Sequence, residues 1–253
     1  MSVTVGQIME LCRAIAPEQD AEEWDNVGLL AGSASSTVDT VLCALDLTEA
    51  VVEEAVTRGA QMIVTHHPIL FRGRKNLRED DAEGRMLCLL VRSGLALYAM
   101  HTNYDNASPG VNDALAAALG LGDVVAPEPM LRVGTTDAGS FGAFAEYAER
   151  ALGSSIRRFG DPERPVSRVA VLGGAGADYL PAAVEAGADV FVTGEISYHR
   201  ALDAVDNGVL VLEAGHAGTE HPGILALSAA LQKALDAVQY KVRVIDSEVR
   251  LFL

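Results

Sequence analysis

The chain has 253 residues, 49% of them hydrophobic and 5% aromatic, with a formal charge of −16. That length suits one large or two small domains, and many small aliphatics with few aromatics read as an α/β protein. Such an acidic surface repels phosphate backbones and anionic lipid, which argues against nucleic-acid or membrane binding through a basic patch.

Three cysteines (Cys12, Cys43, Cys88) sit in apolar patterns without Cys-x-x-Cys spacing, as expected for reduced, buried thiols in a cytoplasmic protein. No basic-then-apolar leader and no run of about 18 apolar residues occurs, so a soluble, unprocessed chain is expected.

The first helix opens on Thr4-Val5-Gly6-Gln7, a capping-box pattern, carries Val5, Ile8, Cys12 and Ile15 on one face, and ends at Pro17. Glu22–Leu30 reads as a turn leading into a strand. A strand over Thr40–Asp46 and a helix from Thr48 to Gly59 follow. Next come the strand Met62–Thr65, a helix near Glu83–Arg92 and the strand Leu95–Met100, then a helix over Asn112–Leu119. The pattern breaks at Val124–Pro129, where two prolines suggest a boundary. It restarts with a helix over Phe141–Leu152, a strand over Ser167–Leu172 and a helix over Leu180–Ala186. The strand Asp189–Thr193, a helix near Tyr198–Val205 and the strand Gly208–Glu213 come next. The last helix is placed from near Thr219, with Pro222 in its first turn, to about Val238, before a strand over Tyr240–Ile245. Strand–helix alternation of this kind favours parallel strands covered by helices.

Three strand ends carry metal-type side chains, at the place where open α/β sheets build their sites. His66-His67 follows the first, stopped by Pro68; Asp105 lies in His101-Thr102-Asn103-Tyr104-Asp105 after the second; His216 and Glu220 follow the third. Three imidazoles (His66, His67, His216) and two carboxylates (Asp105, Glu220) suit a pair of divalent transition-metal ions, since carboxylates can bridge and imidazoles terminate. Zinc, iron, manganese, nickel or cobalt would each accept this donor set. Neighbouring strand residues point to opposite faces, so His66 and His67 serve one site only if the chain bends, or each takes a different ion. Each carboxylate also has a plainer role as a helix cap.

Glu195 and His199 stand four residues apart after the Asp189–Thr193 strand; they either cap and pair with one another or act as acid–base groups. Gly173-Gly174-Ala175-Gly176 lacks the dinucleotide fingerprint and reads as a tight turn rather than a phosphate cradle. His221 is expected to be an exposed first-turn residue. Arg72, Arg74 and Lys75 form a local basic exception that either holds an anionic substrate or is a solvated loop. The residues together suggest a metal-dependent hydrolase, with Glu195 or His199 moving protons. The rival is a non-catalytic metal-binding scaffold or delivery protein. A structural zinc site is disfavoured, because no cysteine joins the set and five ligands exceed the usual closed four.

Trp24-Asp25-Asn26-Val27-Gly28-Leu29, Thr65-His66-His67-Pro68, His101–Asp105, Thr193-Gly194-Glu195 with Tyr198-His199, and Gly215-His216 with Thr219-Glu220 stand in an order that resembles the NGG-one-interacting-factor-three-like family of dinuclear-metal proteins, also called GTP cyclohydrolase 1 type 2 homologs. The resemblance implies two α/β domains with mixed sheets covered by helices. The first would be built from both chain ends (1–126 with 209–253) and a smaller second from 127–208. It further implies a homohexamer with two metals per chain on the same five ligands, and opening of the GTP imidazole ring. Two departures stand out: Ala217 replaces the Tyr usual after the third-motif histidine, and the large insertion of longer relatives is absent.

Overall fold

The computed structural model describes residues 2–249. In chain order the elements are α1 (Val5–Ile15), β1 (Gly28–Ala31), β2 (Thr40–Ala44), α2 (Glu49–Thr57), β3 (Met62–Thr65), α3 (Ala82–Arg92), β4 (Ala96–Ala99) and α4 (Thr102–Asn106). They continue as α5 (Val111–Ala118), β5 (Gly122–Val125), β6 (Arg132–Ser140), α6 (Phe141–Leu152), β7 (Arg157–Phe159), β8 (Pro165–Leu172) and α7 (Leu180–Glu185). The chain closes with β9 (Val190–Thr193), α8 (Tyr198–Asp206), β10 (Leu210–Glu213), α9 (His216–Ala237) and β11 (Arg243–Asp246). The chain is mixed α/β, with two sheets covered by helices.

The chain divides into two compact units, with breaks at Ala107/Ser108 and at Gly223/Ile224, the second inside α9. These breaks differ from the expected 126/127 and 208/209. The reason is packing: Leu115 and Ala116 of α5, with Leu119 just beyond it, join the same core as Val169 and Val171 of β8. Likewise β10 pairs with β9 and β7 rather than with any strand of the first sheet.

The first unit, which takes residues from both ends of the chain, holds the sheet β1-β4-β3-β2-β11, parallel except for β1. Thr4 caps α1 as a reciprocal box: its Oγ1 accepts from the Gln7 N–H at 3.3 Å, and its own N–H donates to Gln7 Oε1 at 2.9 Å. Strands β2, β3 and β4 are buried at every residue, as strands covered on both faces must be. Leu42, Ile63 and Leu97 pack with Val51, Val52 and Leu90 of α2 and α3. Cys12 and Cys43 are buried, and burial pushes the Cys43 thiol up to about 12. Cys88 is only half-buried, against expectation.

The second unit holds the sheet β5-β6-β8-β9-β10-β7, with β8, β9 and β10 parallel and the outer strands antiparallel. Alternate residues of β8 feed two cores: Val169 and Val171 meet Phe141 and Phe144, while Ala170 and Leu172 meet Leu131, Ala183 and Phe191. Strands β5, β6 and β7 have no counterpart in the sequence-based elements. At the edge, all four residues of β5 are exposed, its register against β6 shifts between Gly122 and Val125, and Asp123 has φ +47°. Helix α9 starts three residues earlier than expected, so Pro222 lies inside it and His221 is half-buried, not exposed.

Arg132 is the largest fully buried side chain of this unit. Its Nε and Nη2 each donate to the Asp113 carboxylate at 2.8 Å, and Nη1 donates to the Pro129 carbonyl at 2.7 Å. Removing one partner of a buried ion pair strands the other charge in a poorly solvated setting, at a cost of about 3–5 kcal/mol. Asp113→Ala is therefore expected to lower the urea midpoint markedly, and Asp113→Asn less so. Equal midpoints for wild type and Asp113→Ala would remove the pair from the account of stability.

Candidate metal centre

In the first unit the site begins with level strand ends. Registers Ala44↔Thr65 and Thr65↔Ala99 align β2, β3 and β4, so Asp46, His67 and His101 each stand two residues past the last of these paired positions. The two adjacent histidines reach the same side because the chain bends after Thr65. His66 and His67 donate successive N–H groups to Ala44 O (3.2 Å) and Leu45 O (3.0 Å), whereas a regular strand alternates the direction of its donors. The ring centroids of His66 and His67 are 5.0 Å apart, and those of His101 lie 5.1 Å from His66 and 5.5 Å from His67.

Each ring is held through Nδ1. His66 Nδ1 bonds the Met100 carbonyl at 2.8 Å, His67 Nδ1 bonds Asp46 Oδ1 at 2.8 Å, and His101 Nδ1 bonds Asp25 Oδ1 at 2.9 Å. An acceptor on Nδ1 selects the tautomer whose Nε2 carries the lone pair, the usual arrangement of a metal-binding imidazole. The three histidines offer ligand nitrogens within 4.8 Å of one another. Asp105, in α4, places Oδ1 3.6 Å from Nε2 of the buried His66. The Asp25 side chain is buried, and burial pushes its pKa up. The bonds from His101 and Thr102 outweigh that and hold it well below the usual carboxylate range. Asp25 is therefore a fixed negative charge behind His101.

In the second unit the register Glu213↔Thr193 levels β9 with β10, which brings Glu195 alongside the start of α9. His216 Nδ1 bonds Glu195 Oε1 at 2.8 Å. Its Nε2 lies 3.2 Å from Oε1 of the buried Glu220, one helical turn along α9. The glycine turn after β8 is closed by the protein itself: Gly173 N–H donates to Asn112 Oδ1 (2.8 Å), Gly174 N–H to Thr219 Oγ1 (3.0 Å) and Gly176 N–H to Thr193 Oγ1 (3.0 Å). A phosphate cradle needs those donors, so the tight-turn expectation holds. Gly174 has φ +61°, and a Cβ there would overlap Glu220 Oε1 and lie 3.2 Å from His216 Nε2. Only glycine leaves these two atoms clear.

His66, His67 and Asp105 thus come together in the first unit, and His216 and Glu220 in the second. Glu195 joins the latter pair by orienting His216; it does not pair with His199, which is exposed on α8 beside the Tyr198 ring. Asp46, Asp25 and His101 were not assigned roles from sequence, although each lies near a strand end. The donor chemistry, imidazole Nε2 atoms backed by carboxylates or carbonyls with carboxylate oxygens beside them, fits divalent transition ions.

Two sheets with histidine–carboxylate groups at the carboxyl ends of parallel strands define an α/β protein whose side chains could hold metal ions. The chain matches the model of the Duf34/NIF3 (NGG1p interacting factor 3) family over residues 3–250 and belongs to that family. It is 31% identical to a GTP cyclohydrolase 1 type 2 homolog of Clostridium acetobutylicum over 98% of this chain and 97% of that one. It is 35% identical to the protein of the same name in Streptomyces coelicolor, covering 95% and 90%. Among solved structures, a hypothetical protein of Staphylococcus aureus superposes with a TM-score of 0.94 at 29% identity, covering 98% and 97%. A Bacillus cereus protein related to NIF3 gives 0.93 at 26%, covering 98% of each.

Groups that orient ligating histidines typically contribute about 10–100-fold to metal affinity. Asp46→Ala and Glu195→Ala are each expected to weaken zinc or cobalt binding by that order in competition with a chromogenic chelator. Gly174→Ala is expected to do so without removing any donor. Wild-type affinity in all three would sink the metal assignment of these side chains.

Proposed function

We propose that the protein holds two divalent transition-metal ions through His66, His67, Asp105, His216 and Glu220, and is a metal-dependent hydrolase acting on a nucleotide or phosphoester. The observation that carries this is the Nδ1 anchoring of His66, His67 and His216, which makes each Nε2 the lone-pair nitrogen, as in metal-binding imidazoles. The printed name of the relatives, GTP cyclohydrolase 1 type 2 homolog, supports a nucleotide.

Bound divalent ions would supply Lewis acidity and activate water near neutral pH. The chain's own part is to hold that chemistry in place. Asp46 and Glu195 fix the rings of His67 and His216. Asp25 does the same for His101, whose ring stands beside those of His66 and His67 in the first unit. Glu195 and His199 are exposed acid–base groups following β9 and are assigned to proton movement. The chain is further proposed to assemble as a homohexamer, on its family resemblance. Cytoplasmic residence is proposed on the three free cysteines.

The test is a screen of GTP, other nucleotides and simple phosphoesters with metal-reconstituted protein beside His66→Ala and Glu220→Gln. Metal-dependent turnover that falls by about 100-fold or more in both variants is expected, by analogy with the loss of a group that stabilises charge at a reacting centre. Full metal loading without turnover would instead favour a non-catalytic metal-binding scaffold, and well under one metal per chain by elemental analysis would count against both.

A further inference from the structure

The first unit contains a cavity of about 710 Å³, lined by Trp24, Asp25 and Asn26 on one side and by Leu70–Leu77 on the other. That volume falls within the range of small-molecule sites. Its walls are tied together, since Asn26 Nδ2 donates to the Leu70 carbonyl at 2.6 Å. Trp24 is 59% exposed and Phe71 45% exposed, although large aromatics usually bury most of their surface. Their ring centroids are 5.6 Å apart, and each lies close to the His101 ring, at 6.2 and 6.3 Å. The cavity therefore opens beside the histidine cluster.

The charges sort themselves clearly. Arg74 is occupied by Asp81 (2.8 Å) and Glu83 (2.5 Å), so it braces the loop rather than receiving a ligand. Asp80 is taken by Arg78 and Glu79 by Arg92, and the Asp25 carboxylate is turned onto His101 and Thr102. Arg72 and Lys75 are exposed and form no ion pair among the described residues. On a chain of formal charge −16, two uncompensated cations beside two exposed aromatic rings form a local well for an anion with a flat apolar face.

We propose that this cavity is a binding subsite for a nucleotide-like molecule, which lays its planar ring on Trp24 with the Phe71 ring, tilted by 59°, at its edge, and its anionic group against Arg72 and Lys75. The inference rests on the hydrolase proposal for calling that molecule a substrate, and it narrows the choice there from any phosphoester to one bearing an aromatic ring. Binding itself depends on the cavity alone.

Trp24 is the only tryptophan of the chain, so its fluorescence reports this site directly. Metal-loaded and chelator-stripped protein are titrated with GMP, guanosine and ribose 5-phosphate, with calorimetry as a second readout. GMP is expected to quench Trp24 saturably, with guanosine and ribose 5-phosphate each binding about tenfold or more weakly, as loss of one contact class implies. Phe71→Ala should weaken GMP and guanosine. Arg72→Ala with Lys75→Ala, at two exposed positions, should bring GMP down to the level of guanosine while circular dichroism stays unchanged. The inference is overturned if ribose 5-phosphate binds as tightly as GMP, or if the double variant binds GMP as wild type does. GMP binding without turnover of any nucleotide or simple phosphoester upholds the subsite and defeats the hydrolase proposal. Metal-dependent hydrolysis of glycerol phosphate without GMP binding overturns the subsite and leaves the hydrolase standing.

Discussion

An imidazole has two nitrogens at fixed angles, so an acceptor placed on one decides where the lone pair of the other points. That constraint is met for four of the histidines: Met100 O, Asp46, Asp25 and Glu195 sit on Nδ1 of His66, His67, His101 and His216. The acceptors differ in kind but share an origin, because each lies on or near the end of a strand or on a segment bonded to one. The sheets fix the acceptors, the acceptors fix the rings, and the rings define where a cation would be held.

Both units reach this arrangement by the same means. Parallel strands paired without slippage end level, and side chains two or three residues beyond the ladder meet laterally. The second unit adds a helix start, where His216 and Glu220 share a face one turn apart. Gly174 completes it by contributing nothing: its missing side chain is the space that Glu220 Oε1 and His216 Nε2 need.

Much of this was legible in the residues. The strand ends bearing His66-His67 and His216 are marked by apolar runs, and the capping box of α1 by its four residues. What could not be read locally was pairing. Asp46 looks like any acid closing a strand until β2 is placed next to β3, and sequence spacing sets Glu195 beside His199, while the sheet sets it beside His216. Strand β6 was missed because Arg132–Ser140 is rich in Gly, Thr and Asp, with only Val133 and Ala138 as apolar residues. It is extended because β8 supplies its hydrogen-bond partners, not because of any alternation. The unit boundaries moved for a related reason: Pro127 and Pro129 punctuate a loop within a unit, while core contacts decide membership.

The irregular strand β5 carries a consequence of a different kind. A sheet whose last strand is straight and unpaired offers a row of amides and carbonyls to any other extended chain, and Val124 and Val125 would make that row adhesive. The left-handed Asp123 and the slipped register break the row after a few residues, and a charged side chain sits in the middle of it. The kink thus acts as a stop on sheet growth. A change that straightened it, such as a β-branched residue with a regular register, would convert a quiet edge into a template for aggregation.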